Sequence, residues 1–159
     1  MIWAEFEDAA PILAAVARQR LAASRVALLG TVRADGSPRI SPIEPYFSGS
    51  HLLFGAMAWS HKAGDLSRDP RLTLHNTLTG PDNGEPEIKL HGLAVAADSA
   101  TRASCPDGWW HRQPSDRALV FAVQLTAATL VEWDLAAAQL TVTSWTTATG
   151  LRTRQRRYP

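Results

Sequence analysis

The feature that most constrains the fold is a series of short, β-compatible apolar segments that tight-turn signals separate at close intervals. Residues 26–32 read Val-Ala-Leu-Leu-Gly-Thr-Val, and the Asp-Gly pair that follows is typical of a two-stranded hairpin. The return strand is predicted over 38–47 and contains Pro42 and Pro45. Since proline donates no hydrogen bond to a neighbouring strand, this strand must lie at an edge, carry a bulge or face a ligand.

More segments of the same kind follow along the chain. We predict turns at 48–50 and 81–84 and strands over 51–56, 71–78, 87–97, 117–127 and 140–147, with 130–133 as a further short candidate. Hairpins at this spacing, with few helices, are typical of an antiparallel barrel and not of a sheet built from β-α-β units. These candidates are at least one more than a six-stranded barrel needs, so we expect one to lie outside the closed sheet.

Two helices are predicted. Residues 8–22 form an amphipathic helix with Asp8 as its N-cap and Pro11 in the first turn, where a missing N–H does no harm. A short helix follows Ser60, its N-cap, and ends at Asp69-Pro70. The predicted divisions of the chain are an N-terminal helix (1–24), a barrel domain (25–152) and a basic C-terminal tail (153–159).

Composition and charge narrow the classes of partner. The chain of 159 residues is long enough for one domain with a proper core, and its formal net charge is only +1. A chain so balanced has no overall field to attract nucleic acid or an anionic membrane, and we expect neither as a partner. One basic cluster near the C-terminus departs from this balance: Arg152, Arg154, Arg156 and Arg157. We interpret it as a solvated basic tail, and the alternative is that it contacts a phosphate group.

The N-terminal residues and the single cysteine favour a cytoplasmic protein. Glu5, Glu7 and Asp8 stand where a signal peptide would carry positive charge, and no apolar run is long enough to span a bilayer. Cys105 is the only cysteine, so no disulfide can form within the chain. It precedes Pro106 with no base beside it, and we interpret it as an incidental thiol.

Most of the common catalytic motifs are absent from the sequence. It contains no nucleophile elbow, no Walker loop, no zinc-binding helix motif and no dinucleotide glycine fingerprint. Most of the five histidines fall on predicted strands, where a structural role is the default, so we predict no metal site. No coherent set of acid, base and nucleophile stands out, and the catalytic residues stay unassigned. A bound cofactor that carries the reactivity would explain this absence.

One constellation suits the binding of such a cofactor. Ser60-His61-Lys62 starts the second predicted helix, and a helix N-terminus offers free N–H groups and a positive dipole end to a phosphate. Ser60 adds a hydroxyl, Lys62 a charge and His61 a charge that depends on protonation. Arg39, on the preceding hairpin, could complete the seat with a bidentate guanidinium. A capped helix with a lysine is also a common structural feature, and on these residues alone that alternative stays open.

Three stretches, taken in order, resemble one family. They are Leu28-Leu-Gly-Thr-Val-Arg-Ala-Asp-Gly-Ser-Pro-Arg-Ile-Ser-Pro-Ile43, Leu52-Leu-Phe-Gly-Ala56 and Trp59-Ser-His-Lys-Ala-Gly-Asp-Leu-Ser-Arg-Asp-Pro-Arg71. Together they closely resemble the pyridoxamine 5'-phosphate oxidase-like superfamily of FMN-binding split barrels, also called flavin/deazaflavin oxidoreductases. The resemblance extends over residues 25–152. It implies a mainly β fold, a six-stranded antiparallel split barrel of Greek-key type, which pairs as a homodimer and holds FMN at the subunit interface.

The resemblance also assigns residues to the cofactor. Arg39, Ser60 and Lys62 match positions that hold the flavin phosphate, and Trp59 and His61 flank that end. Backbone that runs along the ring system is matched by four further residues: Ser41, Pro42, Gly55 and Ala56. The authentic oxidase usually has an arginine where His61 stands, and its C-terminal arginine–histidine signature is missing here. Both departures argue against vitamin B6 as the substrate.

The function implied by the resemblance is a flavin-dependent oxidoreductase that exchanges hydride or electrons with a small molecule. A first alternative is a reductase that uses the deazaflavin coenzyme F-420, whose long tail the C-terminal arginines could contact. A second is a protein that stores or carries flavin or haem without turnover, and a third is a dimerising barrel with an empty pocket.

Six tryptophans are many for a chain of this length. Four of them fall in segments that we expect to border the cofactor as an aromatic wall: Trp59, Trp109, Trp110 and Trp145. The structural alternative is that Trp133 and Trp145 belong to the core, while Trp109 and Trp110 anchor the irregular loop at 98–116.

Overall fold

The computed structural model describes residues 1–80 and 84–157, which form one antiparallel sheet with helices packed around it. Within these residues the strands are β1 Ala27–Val32, β2 Pro38–Ile43, β3 Pro45–Ser48, β4 His51–Met57, β5 Arg71–Asn76, β6 Glu87–Ala96, β7 Ala118–Asp134, β8 Gln139–Thr146 and β9 Gly150–Arg157. The helices are α1 Trp3–Ala9, α2 Pro11–Ser24, α3 His61–Arg68 and α4 Ser99–Ala103, with a 3₁₀ turn at Trp109–Arg112. The mainly β class predicted from the sequence is confirmed.

The sheet closes on itself through a single residue. Seven strands follow the order β2-β1-β5-β6-β7-β4-β3, with every neighbouring pair antiparallel. Only Glu44 separates β2 at one end of this order from β3 at the other, so both ends belong to one interrupted segment. Pro45 has no N–H to donate at the interruption, and β2 pairs with β1 while β3 pairs with β4. Counted as one strand, the β2–β3 segment joins β1 and β4–β7 in the expected six-stranded split barrel.

Strand β7 differs from its prediction because two predicted strands, 117–127 and 130–133, are one strand of 17 residues. It pairs with β4 and with β6, and its register with β6 shifts between His91 and Gly92. A Cβ at Gly92 would lie 2.2 Å from the carbonyl oxygen of Gln124, so only glycine lets the two backbones approach here. The bulge keeps one long strand in register with neighbours on both sides.

The C-terminal segment forms a hairpin outside the barrel. β8 pairs with the C-terminal half of β7 on one side and with β9 on the other. The segment that we expected to be a tail from residue 153 is instead part of β9, as far as Arg157, and the whole of this strand is exposed. Residues 158 and 159 of that tail, like most of the turn predicted at 81–84, lie outside the described residues.

The helix predicted over 8–22 is wrong at its start. Pro11 disfavours helical backbone at the residue before it, and Ala10 has φ −146° and ψ 62°, which separates α1 from α2. Asp8 therefore lies in the last turn of α1 and not at an N-cap. α1 packs into the core through Trp3 and Phe6, both 0 % exposed. Neither these helices nor any other helix of the described residues has the length and apolarity needed to cross a membrane.

Candidate functional site

The interruption between β2 and β3 borders a cavity at the barrel surface, which we call the apolar cavity. Its volume of about 460 Å³ falls within the range of pockets that bind small molecules and cofactors. Its lining residues are mostly apolar: Val26, Pro42, Ile43, Glu44, Gly55, Ala56, Met57, Trp59, Ser60, Lys62 and Trp109. The barrel thus offers a flat or apolar group a place at the point where its sheet splits.

One wall of the apolar cavity comes from the distant loop at 98–116. Trp109 lies directly over β4, since a Cβ at Gly55 would stand 2.8 Å from its Cζ2 atom, and glycine lets the indole close on the strand. Trp110 is 0 % exposed and packs edge-on against Tyr46, with ring centroids 5.0 Å apart. Trp110 therefore anchors the loop through its buried contacts. Of these two tryptophans, only Trp109 lines the cavity.

A second cavity, which we call the basic cavity, shares Trp59 and Ser60 with the apolar one. Its volume is about 530 Å³. The other residues that line it are Arg33, Ala34, Asp35, Arg39, Ala58, His61, Gly64, Asp65 and Arg68. Three arginines face two carboxylates in this set, so the cavity carries net positive charge even when its histidine is neutral. A basic cavity therefore adjoins an apolar one at Ser60.

Helix α3 brings its N-terminus to the boundary between the two cavities. Ser60 is the N-cap, as predicted, and its Oγ accepts a hydrogen bond from the N–H of Ala63 at 3.4 Å. The Ser60 hydroxyl itself donates to the carbonyl oxygen of Met57 at 2.7 Å, so its proton is already engaged. The backbone N–H groups of His61 and Lys62 have no acceptor within the described residues. These two groups, and not the Ser60 hydroxyl, are the donors that the helix offers to an anion.

Lys62 links α3 to β2. Its Nζ donates to the carbonyl oxygen of Pro42 at 2.9 Å, and burial lowers the pKa of this lysine below its usual value. An ammonium group has three N–H donors, and only one of them is used by this bond. Lys62 can therefore keep its contact with the strand and still donate to a ligand in the apolar cavity that it lines.

Arg39 is held by a buried carboxylate. The side chain of Asp65, 6 % exposed, accepts hydrogen bonds from Arg39 Nε at 2.7 Å and from Thr31 Oγ1 at 2.9 Å. Arg68 approaches the other carboxylate oxygen at 3.4 Å. Burial alone would raise the pKa of Asp65, but the hydrogen bonds from Arg39 and Thr31 outweigh it and hold this pKa below its usual value. The carboxylate is therefore ionised at neutral pH.

Eight of the nine residues that the resemblance assigned to the cofactor line these cavities. The apolar cavity is lined by Pro42, Gly55, Ala56 and Lys62, the basic cavity by Arg39 and His61, and both by Trp59 and Ser60. Ser41 pairs with Leu29 on β1 and lines neither cavity. The residues assigned to the phosphate thus lie beside those assigned to the ring system, with two exceptions. Lys62 lines the apolar cavity and not the basic one, and Ser41 lines neither.

Sequence reasoning missed Asp65 and Glu44. Asp65 could have been noticed because it lies between Ala63 and Leu66, two buried positions of a short helix. A carboxylate at such a position needs a charged or hydrogen-bonding partner. Glu44 is the single residue between β2 and β3, directly before Pro45, and it lines the apolar cavity. Trp145 is 2 % exposed and belongs to the core, as the structural alternative had it, whereas Trp133 is only partly buried and is not among the core residues.

Sequence comparison identifies a family. The family model described as pyridoxamine 5'-phosphate oxidase matches residues 13–102, more than half of the chain. A search of curated proteins found no match. The matched segment runs from α2 to α4 and contains every residue named above for the basic cavity.

Solved structures share the fold. PhzG from Burkholderia lata 383, in complex with tetrahydrophenazine-1-carboxylic acid, has a TM-score of 0.66 and 14% identity over 96% of this chain and 96% of its own. A pyridoxamine 5'-phosphate oxidase-related, FMN-binding protein from Nostoc punctiforme PCC 73102 has a TM-score of 0.63 and 12% identity over 93% of this chain and 96% of its own. A haem-binding protein from Mycobacterium smegmatis has a TM-score of 0.63 and 15% identity over 92% of this chain and 88% of its own.

Identities this low establish likeness of fold and nothing about ligand or activity. The family model adds a match of sequence over more than half of the chain, in the segment that contains strands β1 to β6 and the helix α3 beside the cavities. The chain therefore belongs to the pyridoxamine 5'-phosphate oxidase family and has its split-barrel fold.

Proposed function

We propose that this protein binds FMN and works as a flavin-dependent oxidoreductase on a small molecule. The observation that carries the proposal is the pair of adjoining cavities, one apolar and one basic, which share Trp59 and Ser60. FMN has the matching build, a flat ring system at one end and a phosphate at the other. Family membership adds to the proposal, and so does the FMN-binding protein of Nostoc punctiforme among the structures of the same fold.

The basic cavity fits the phosphate. Arg39 uses only its Nε on Asp65, so both terminal nitrogens of the guanidinium have no acceptor within the described residues. The N–H groups of His61 and Lys62 add two donors at the positive end of the α3 dipole. A phosphate that bears close to two negative charges at neutral pH is the ligand such a donor set recognises.

The apolar cavity fits the ring system. Its walls combine proline, glycine and alanine backbone with two indoles, those of Trp59 and Trp109, and aromatic faces suit a flat ring. A bound flavin supplies the hydride or electron transfer itself, and the chain supplies binding, orientation and exclusion of water. Among the described residues Glu44 is the only carboxylate that lines this cavity, and its Oε2 accepts a hydrogen bond from the Tyr46 hydroxyl at 2.7 Å.

We also propose that the protein is a homodimer. Trp59, which lines both cavities, is 83 % exposed, and Ile40, the neighbour of Arg39 on β2, is 71 % exposed. Large apolar side chains at this degree of exposure favour an interface, which would cover the open side of the cavities. Sedimentation equilibrium at micromolar concentration tests this point, and a stable monomer with FMN bound would contradict it.

The deazaflavin alternative depends on the basic C-terminal residues. Arg152, Arg154 and Arg156 lie on β9, and no residue of β8 or β9 lines either cavity. Within one chain they are therefore not part of the site, and contact with a long cofactor tail would have to come from another subunit. Haem carriage is the other alternative, because a haem-binding protein of Mycobacterium smegmatis shares the fold.

Reconstitution separates these functions. The apoprotein is titrated with FMN, with the deazaflavin coenzyme F-420 and with haem, and affinity and optical spectrum are measured for each. The proposal expects FMN to bind most tightly, with a flavin spectrum, and the bound flavin to be reduced by a small-molecule donor and reoxidised. Tighter binding of F-420 or haem would replace FMN in the proposal. If FMN binds but no donor or acceptor changes its redox state, the protein is a flavin carrier and not an oxidoreductase.

A further inference from the structure

We propose that Asp65 is a positioning residue that holds Arg39 at the basic cavity and thereby gives the site its preference for a phosphorylated flavin. The inference rests on the proposed binding of FMN and deepens it. Asp65 would not touch the ligand, because its carboxylate oxygens already accept hydrogen bonds from three side chains: Thr31, Arg39 and Arg68.

The first observation is how Arg39 is held. A guanidinium is planar and rigid, so a 2.7 Å hydrogen bond from its Nε to Asp65 restricts the orientation of the whole group. The two terminal nitrogens are left without acceptors in the described part of the chain, although the side chain is only 21 % exposed. An arginine so fixed loses less side-chain entropy when it binds a phosphate than one that is free in solvent.

The second observation is that Asp65 is itself fixed from three elements. Thr31 belongs to β1, Arg39 to β2, and Arg68 to α3, the helix of Asp65 itself. Arg68 also donates to the carbonyl oxygen of Val32 at 2.5 Å. The Asp65 carboxylate therefore connects the hairpin that carries Arg39 to α3, the helix whose N-terminus offers the other donors.

A positioning role and a simple charge effect predict opposite signs. A carboxylate beside a phosphate repels it, so removal of the negative charge alone would tighten FMN binding. If Asp65 orients Arg39, the same removal weakens FMN binding, because the guanidinium is no longer held. The sign of the change therefore tells the two roles apart.

A comparison of FMN with riboflavin distinguishes the positioning role of Asp65 from a merely structural one. Riboflavin has the ring system of FMN and no phosphate, so it depends on the apolar cavity and not on Arg39. General damage to the fold would weaken both ligands, whereas loss of orientation at Arg39 would weaken FMN alone.

The experiment compares Asp65→Asn with a matched variant, Asp69→Asn, in the full-length protein by flavin fluorescence titration. Asp69 is the C-cap of the same helix and binds Arg71 at the surface. We expect Asp65→Asn to raise the Kd for FMN roughly tenfold or more and to leave the Kd for riboflavin within about a factor of two. We expect Asp69→Asn to change neither Kd beyond about twofold.

Two further variants guard against misfolding of Asp65→Asn. Arg39→Lys keeps the charge and loses the planar fork, so the proposal expects it to lose most of the FMN affinity that Arg39→Ala loses, again without effect on riboflavin. Tighter FMN binding by Asp65→Asn, equal losses for FMN and riboflavin, or an Arg39→Lys variant that binds FMN as wild type does would each overturn the inference. A wild-type protein that binds no FMN would overturn the proposed function and this inference with it.

Discussion

The two cavities on either side of Ser60 are built from very different stretches of the chain. Every residue that lines the basic cavity lies between Arg33 and Arg68, on the β1–β2 hairpin, on α3 or in the short link that leads from β4 into α3. The apolar cavity is lined by residues from Val26 to Trp109, and Trp109 comes from a loop inserted between β6 and β7. The first is a local structure with fixed ion pairs, whereas the second needs a long-range contact to be complete.

This difference separates cofactor binding from substrate choice. The basic cavity depends on Asp65 and on the N-terminus of α3, so its geometry is set once the hairpin and helix have folded. The wall at Trp109 depends on how the loop at 98–116 sits on β4, and loops are where related proteins of one fold vary most. We therefore expect the basic side to govern cofactor affinity and the tryptophan side to govern which substrate is accepted.

The largest effect is expected where the tryptophan loop is anchored. Trp110 is 0 % exposed, so Trp110→Ala removes a fully buried indole and should lower the free energy of unfolding by about 3–5 kcal/mol. Trp59→Ala is the matched control, since Trp59 is 83 % exposed and its loss should change that energy by no more than about 0.5 kcal/mol. Urea unfolding followed by circular dichroism measures both. Similar stability of the two variants would mean that Trp110 does not anchor the loop.

Phosphate binding is tested by removal of one cation from each cavity, Arg39 from the basic cavity and Lys62 from the apolar cavity. Arg39→Ala and Lys62→Ala should each weaken FMN binding by about 1.5–3 kcal/mol, the usual scale for a hydrogen bond to a charged group. The fold should survive, because neither residue belongs to the apolar core. Arg71→Ala serves as the control, since it removes an exposed arginine that lines neither the basic nor the apolar cavity. If both variants bind FMN as tightly as wild type, the phosphate lies elsewhere.

The local part of the site could be predicted from sequence, and the long-range part could not. Ser60 as an N-cap, the hairpin that carries Arg39 and the strand interrupted before Pro45 all depend on residues close together in the chain. The engagement of the Ser60 hydroxyl by Met57 and the contact of Trp109 with Gly55 depend on three-dimensional packing that no local pattern records.

The C-terminal strand was missed for a different reason. Arg152, Arg154 and Arg156 alternate with Leu151 and Thr153 at the period of a strand, so the pattern for β9 was present. The density of positive charge favoured a solvated tail over a strand, although charged residues are common on exposed edge strands. The separate start of α2 was also open to prediction, because Pro11 restricts the residue before it.

The contact between the loop and β4 is tested at Gly55. Gly55→Ala would place a Cβ 2.8 Å from Trp109 and 2.9 Å from Trp110, so it should lower the free energy of unfolding by about 1–3 kcal/mol. Gly64→Ala is the matched control, since a Cβ there meets nothing within 4 Å and alanine should stabilise α3 by about 0.5–1 kcal/mol. Thermal unfolding compares the two, and a Gly55→Ala variant as stable as wild type would show that the indoles yield at no cost.

The division of labour between the two tryptophans is a finer test. Trp109→Ala should change substrate turnover more than FMN affinity, and Trp59→Ala should do the reverse, because Trp59 lines both cavities and Trp109 only the apolar one. Steady-state rates and fluorescence titrations on both variants decide the matter. Unchanged turnover in Trp109→Ala would make the loop a structural feature only.

The smallest effect concerns the ionisation of Tyr46 under the loop. Burial, followed by the hydrogen bond to Glu44, raises the pKa of Tyr46 to about 12. Glu44→Gln removes the negative charge that disfavours the tyrosinate, so the pKa of Tyr46 should fall toward its usual value. Ultraviolet absorbance during a pH titration follows the tyrosinate, and Tyr46→Phe identifies the signal. An unchanged titration would leave burial as the whole cause.

The central claim is that the basic cavity holds the phosphate of a flavin whose ring lies in the apolar cavity. The ratio of the dissociation constants of the wild-type protein for riboflavin and for FMN tests it most directly, because the two ligands differ only in the phosphate. Flavin fluorescence titration should show FMN bound tighter by at least about tenfold, as expected for a phosphate that receives charged hydrogen bonds. Equal affinities, or no binding of either flavin, would contradict the claim.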